Sequence, residues 1–165
     1  MKTQLLSIVL ALIMGSGATA QTSAKESNQT KMPDYLTAYL QLKDALHEDD
    51  AAKAKIAAAD MKTKITNAGI DDQKKVESIN EALKTITEND DIEAQRTAFA
   101  KLSQYMITIL ENNPVPGVAL YSDYCHMARN GKGAYWISAD KEINNNPYMG
   151  GKMPHCGTVD EKISK

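Results

Sequence analysis

Four apolar patterns with three- and four-residue spacing follow one another over residues 33–112, and they constrain the fold more than any other feature. Each pattern repeats at the spacing of one helical face, so each predicts an amphipathic helix. Pro33 suits a first helical turn, and Asn112-Asn113-Pro114 would end the fourth helix. The later helices each follow an aspartate suited to an N-cap: Asp49 or Asp50, Asp71 or Asp72, and Asp90 or Asp91. Short connections between the helices predict an antiparallel four-helix bundle.

The stripe positions of the predicted helices are expected to form the core. They are Ala54, Ala58, Met61, Ile65, Val76, Ile79, Leu83, Ile86, Phe99, Leu102, Met106 and Ile109. A cofactor site inside the bundle would need ligands such as paired Glu-x-x-His motifs. These stripes offer none, and His47 stands alone at the end of the first helix. The sequence therefore favours a plain apolar core.

Residues 113–165 differ in character, because glycine, asparagine and aromatic residues rise and the helical periodicity ends. Runs at 118–121 and 134–137 have the composition of short strands, and residues 159–165 suit a short helical or extended piece. The segment is too short and too turn-rich to bury a core of its own. We therefore expect a mainly α protein with an irregular, turn-rich C-terminal segment packed against the bundle, in one domain over residues 33–165.

The N-terminus has the pattern of an export signal. Residues 1–20 contain Lys2, an apolar run from Leu5 to Met14 and small residues up to Ala20, which predicts a signal peptide. The apolar run is shorter than the ~20 residues of a membrane span, and no later stretch approaches that length. Residues 21–32 are polar and predict a disordered leader. The mature protein is thus expected to be periplasmic or secreted, without a membrane span.

The formal net charge of the chain is −2. No basic stripe of the kind that binds a phosphate backbone is visible, so nucleic acid is not an expected partner.

Candidate chemistry is concentrated in residues 121–157, which hold both cysteines, two of the three histidines, three methionines and the single tryptophan. Thiolate and thioether sulfurs are the ligands that copper(I) selects. The expected donors are Cys125, Met127, Met153 and Cys156, with His126, His155 and Met149 as possible additions. In an extended strand Cys125 and Met127 would point to the same side, and a turn around Pro154 would bring the other two sulfurs together.

Three alternatives remain open for these residues. Two cysteines in an exported chain suggest a disulfide, which would need no metal and would contribute about 3 to 4 kcal/mol. Zinc is possible through two cysteines and two histidines, although each histidine here adjoins a cysteine, unlike the spaced ligand pairs of zinc fingers. A cysteine nucleophile would need a histidine base and an orienting group, and no such third group is evident. The chain is therefore not expected to be an enzyme.

The segments YSDYCHMA, GAYWIS, NPYMGGKM and YLQLKDAL together resemble an uncharacterised bacterial exported domain. That domain occurs alone and at the C-terminal end of periplasmic adaptor proteins of copper/silver-type heavy-metal efflux systems. The resemblance implies a helical bundle with a metal-associated C-terminal segment, whose motif cysteines and methionines correspond to Cys125, Met127, Met153 and Cys156. Where that domain usually has Cys-Pro-Met, this chain has Cys125-His126-Met127, and an extra asparagine stands in Asn144-Asn145-Asn146.

From the residues and the resemblance together, two functions are expected. The first is periplasmic binding of a heavy metal, copper(I) above all, in sequestration or efflux, with an efflux-system component as a possible partner. The second is a disulfide-stapled helical interaction module that docks a transport or envelope partner without metal.

Overall fold

A computed structural model describes residues 31–163 of the chain. The predicted signal peptide, nearly all of the predicted leader and the last two residues lie outside this range. Four long helices come first in the described part: α1 at Asp34–His47, α2 at Ala51–Thr66, α3 at Gln73–Glu88 and α4 at Ile92–Asn112. None of the helices described in residues 31–163 is long and apolar enough to cross a membrane.

Aspartate side chains begin three of the helices, as predicted. The Asp50 carboxylate accepts a hydrogen bond from the Lys53 amide at 2.8 Å, and Asp72 caps α3 in the same way. Asp91 accepts from the amide of Glu93 at 3.0 Å and caps α4. Each cap satisfies one of the amides that a helix leaves without a partner at its N-terminus.

Consecutive helices pack against each other, and α1 meets α4 through side chains. Near the end of α1, the Leu46 carbonyl accepts from Arg96 in the first turns of α4, while the earlier Tyr39 reaches Ser103 further along α4. The two helices therefore run antiparallel. All twelve predicted core positions are buried, and the Phe99 ring stacks on Tyr39 with centroids 5.2 Å apart. The helical bundle is confirmed.

A three-stranded antiparallel sheet occupies the part that was expected to be irregular. Its strands are β1 at Tyr121–Cys125, β2 at Ala134–Ser138 and β3 at Thr158–Lys162, in the order β2-β1-β3. The expectation of an irregular segment is thus wrong for the segment as a whole, whereas turns do fill the connections. The strand-like run at 134–137 is β2, and the expected helical or extended piece at 159–165 overlaps β3. Short strands pair here because two partners flank β1, which supplies hydrogen bonds on both of its edges.

The sheet docks on the bundle through β2 and α4. Tyr39 is completely buried at this junction, and its hydroxyl is hydrogen-bonded to Ser103 at 2.7 Å. The same hydroxyl accepts from the backbone amide of Ile137 in β2 at 3.0 Å. This phenol therefore connects α1, α4 and the sheet, and it satisfies a buried backbone donor that would otherwise cost free energy.

Candidate thiol site

The two cysteines meet at one end of the sheet, where the central strand β1 ends. Cys125 is the last residue of β1 and is completely buried, and Cys156 lies half-buried just before β3. The pairing of Tyr124 with Thr158 fixes the register that brings the two together. Their Sγ atoms are 3.1 Å apart, and both cysteines are free thiols. This separation is below the roughly 4.6 Å that two metal–sulfur bonds of about 2.3 Å each can span around one ion.

A turn delivers Cys156, as predicted from Pro154. The Cys156 amide donates to the Met153 carbonyl at 3.2 Å and closes the turn. Gly157 follows with φ of +135°, and a Cβ there would lie 2.8 Å from the Tyr124 carbonyl oxygen. Glycine therefore allows the chain to pass close to β1 while Cys156 faces Cys125.

The thiol pair carries at least one proton at neutral pH. The hydrogen bond with Cys125, together with burial, raises the pKa of Cys156 to about 11. A metal ion binds the thiolate form, so metal binding has to displace this proton.

Met127 is not placed as the sequence analysis expected. The strand ends at Cys125, and His126 and Met127 already form a turn, so Met127 does not share a strand face with Cys125. The physical reason is the Arg-Asn-Gly-Lys-Gly sequence that follows, which favours a tight reversal. Arg129 and Asn130 both adopt left-handed backbone conformations there, with φ of 56° and 57°. The Met127 side chain is 46% exposed.

The remaining predicted donors differ in their exposure to solvent. Met153 and Met149 are half-buried, with Met149 against the core, and His126 is exposed. His155 is exposed too, and its Nδ1 lies 2.8 Å from the Ile143 carbonyl oxygen. Within residues 31–163 no three or more histidine, cysteine, aspartate or glutamate side chains form a group that would hold a metal ion. A four-ligand site with both cysteines and both histidines is therefore not assembled in this part of the chain.

A buried arginine that was not predicted from the sequence, Arg96, holds the loop between β2 and β3. Arg96 is 5% exposed, and its Nε donates to the Pro147 carbonyl at 2.7 Å. Its Nη2 donates to the Leu46 carbonyl and to the carboxylate of Asp49. A signal was present in the sequence, because Arg96 occupies a core position of the α4 stripe, three residues before Phe99.

One carboxylate is buried in the same strand as Cys125. Asp123 is 1% exposed, and its Oδ1 lacks a hydrogen-bond partner among the described residues. Burial raises the pKa of Asp123 to about 6, against the opposing influence of the Ser138 hydroxyl and the positive charge of Lys43. Lys43 is itself buried in α1. The sheet thus carries a titratable group at its junction with the bundle.

Comparison with known proteins found one family match. Residues 35–116 match the family described as "Protein of unknown function (DUF3347)". The helical part is thus similar to an uncharacterised domain family. Searches of curated proteins and of solved structures found no significant match. The uncharacterised-domain part of the predicted resemblance is confirmed, and its connection to efflux adaptors stays a prediction. Both cysteines lie beyond the matched residues, so the match itself says nothing about the thiol pair.

Proposed function

We propose that this protein binds copper(I) as its cargo through Cys125 and Cys156, and that it serves heavy-metal sequestration or efflux outside the cytoplasm. The observation that carries the proposal is the 3.1 Å separation of two free thiols, one of them buried at the end of β1. The proposed role is binding, without catalysis.

The geometry of the thiol pair supports a shared ion. Two thiolates with metal–sulfur bonds of about 2.3 Å are at most roughly 4.6 Å apart. The pair therefore has to open by no more than about 1.5 Å. Cys156 is the half-buried member and follows a turn, so its side chain can move while Cys125 stays fixed in the core. Copper(I) accepts two thiolates, whereas structural zinc sites use four ligands.

The methionines and histidines would act as supplementary donors in this proposal. Met127 and Met153 each stand near a cysteine in sequence, and a neutral thioether strengthens copper(I) binding without adding charge. His126 and His155 would require a side-chain movement to join the thiols, since no group of three such donors forms within residues 31–163, and Met149 is the remaining candidate donor. Zinc binding would require the same movement of both histidines, and it remains the weaker candidate.

The second candidate is a disulfide-stapled module that docks a transport or envelope partner. The same 3.1 Å distance favours it, because a small rotation of either side chain brings the sulfurs to bonding distance. In an oxidising compartment the pair would then close and exclude metal. A disulfide here would stabilise the fold by about 3 to 4 kcal/mol through loop closure.

Thiol titration and copper(I) competition separate these functions. We expect the reduced chain to bind one copper(I), with both thiols protected from alkylation. Cys125→Ser should weaken copper(I) binding by at least a hundredfold, because one thiolate cannot hold the ion alone. Ser122→Ala on the same strand serves as the control and should leave binding unchanged. A reduced chain that binds no copper(I), and that gains about 3 to 4 kcal/mol on oxidation, would instead support the stapled module.

A further inference from the structure

Asn146 is the most highly connected side chain in the loop that carries Cys156. It is completely buried, and its Nδ2 donates to the Cys156 carbonyl oxygen at 2.5 Å. Its Oδ1 accepts from the amides of Tyr148 at 2.8 Å and Met149 at 3.2 Å. The oxygen of this side-chain amide therefore caps the turn that follows Asn146, and its nitrogen restrains the backbone of Cys156.

The backbone of Asn146 strengthens the same connection. Its amide donates to the Pro154 carbonyl at 3.1 Å, within the turn that delivers Cys156. Its carbonyl oxygen lies 3.3 Å from Nδ1 of His47 at the end of α1. Arg96 then fixes the next residue by donating to the Pro147 carbonyl. The loop that carries Cys156 is thus attached to two helices at the position of Asn146.

The chemistry of this position requires a carboxamide. The two backbone amides need an acceptor, and the Cys156 carbonyl needs a donor, so both halves of the side chain are used. Aspartate has the same shape, but it would place a carboxylate oxygen against the Cys156 carbonyl oxygen. Serine can cap the turn in place of asparagine, yet its side chain is too short to reach Cys156.

We propose that Asn146 is a positioning residue that sets the effective concentration of the Cys156 thiol at Cys125. The inference rests on the proposed function only in that the thiol pair is the functional site. Without the bond from Asn146, the turn at residues 153–156 gains freedom, and the two sulfurs meet less often. The pair would then be weaker both as a copper(I) ligand and as a partner in disulfide formation.

The test measures the thiol–disulfide equilibrium of the purified full chain in glutathione buffers. We expect Asn146→Asp and Asn146→Ser to lower the equilibrium constant for the internal disulfide about tenfold, the effect of losing one buried hydrogen bond. Asn144→Asp and Asn144→Ser are the matched controls, since Asn144 is exposed in the same run of asparagines, and they should change it less than twofold. Far-UV circular dichroism identifies which variants are folded.

An equilibrium constant within twofold of the wild type in a folded Asn146 variant would overturn the inference. An equal fall in the Asn144 variants would overturn it too. If both Asn146 variants fail to fold, Asn146 supports the whole fold rather than the thiol pair, and the inference is again wrong. The measurement contains no metal, so its outcome does not depend on the proposed function. If the wild-type protein does not bind copper(I), the proposed cargo is wrong, but the role of Asn146 in positioning the thiol pair is unaffected.

Discussion

The bundle and the sheet segment each bury four polar or charged side chains among residues 31–163. The buried polar residues of the bundle are Lys43, Gln95, Arg96 and Ser103, and those of the sheet segment are Ser122, Asp123, Ser138 and Asn146. Arg96 and Ser103 make their contacts where the sheet segment meets the helices, while Gln95 donates to carbonyls at the ends of neighbouring helices. A polar residue on an otherwise apolar helix stripe therefore marks a surface that another part of the chain covers.

The two regions also differ in how far apart in sequence their contacting residues lie. Each helix forms from residues three and four apart, so its apolar face is visible in a short stretch of sequence. The sheet depends on β3 returning to β1 across more than thirty residues, and the thiol site depends on that return. The region with the candidate chemistry is thus also the one that local sequence patterns describe least.

Among the substitutions discussed below, Phe99→Ala should have the largest effect on the stability of the bundle and of the sheet segment. The ring stacks on Tyr39 of α1 and lies 5.9 Å from the Tyr148 ring of the sheet segment, so it connects the two regions within one core. Removing a fully buried ring should lower the free energy of unfolding by about 3 to 5 kcal/mol. Denaturant unfolding followed by far-UV circular dichroism and by Trp136 fluorescence measures both regions.

The control for Phe99 is Ile56→Ala in α2, where the side chain is 73% exposed and the change should cost less than about 0.5 kcal/mol. We expect the two probes to give one transition in every variant. Helices that remain folded while the tryptophan signal is lost would show that the regions are independent domains, contrary to the single domain predicted for residues 33–165.

The predictable part of this fold follows from side-chain periodicity. The caps could be narrowed to neighbouring pairs of aspartates, of which the second is the cap in each case: Asp50, Asp72 and Asp91. The core positions followed from the spacing of the apolar stripes. The buried position of Arg96 could not be predicted from apolar periodicity, because a charged residue on the stripe does not fit an apolar pattern. Its partner, the Pro147 carbonyl, lies 51 residues away and leaves no local signal.

The candidate site was predictable in composition but not in arrangement. Cysteine chemistry pointed to Cys125 and Cys156 meeting, and they do. The turn at Pro154 is present as well, and its predicted effect of bringing the sulfurs of Met153 and Cys156 together stays a prediction. The place of Met127 was not predictable from strand alternation, because the left-handed residues Arg129 and Asn130 end that alternation early. The role of Asn146 was hidden as well, since the run of three asparagines looks like a surface turn and only the last of them is buried.

A second substitution, at Asp123, tests the junction between the sheet and the bundle, and its expected effect on stability is intermediate. Because the folded-state pKa of about 6 lies above the ordinary value of 3.8, its contribution to stability is complete below pH 3.8 and is lost as pH rises through 6. The charged form is then buried at neutral pH. Asp123→Asn should therefore gain about 1 to 3 kcal/mol in free energy of unfolding, relative to wild type, between pH 4 and pH 7.

Urea unfolding at several pH values provides this measurement. Asp160→Asn is the matched control, because Asp160 lies exposed on β3, and its difference from wild type should stay within about 0.5 kcal/mol. A gain that is already present at pH 4 would mean that the amide simply packs better than the carboxyl. A flat difference for Asp123→Asn would mean that Lys43 compensates the buried carboxylate completely.

The smallest expected effect concerns the methionines of the sheet segment, whose thioethers are soft, neutral ligands. We predict that Met127→Leu combined with Met153→Leu weakens copper(I) binding about tenfold, or ~1.4 kcal/mol, because thioethers assist two thiolates without replacing them. Met61→Leu combined with Met106→Leu is the control, since both residues are buried in the bundle and the change conserves volume. Competition titration against a copper(I) chelator measures both pairs. Equal affinities in both double variants would exclude Met127 and Met153 from the site and leave copper(I) to the two cysteines. A loss in the bundle pair alone would place the metal in the helices, against the assignment of binding to the sheet segment.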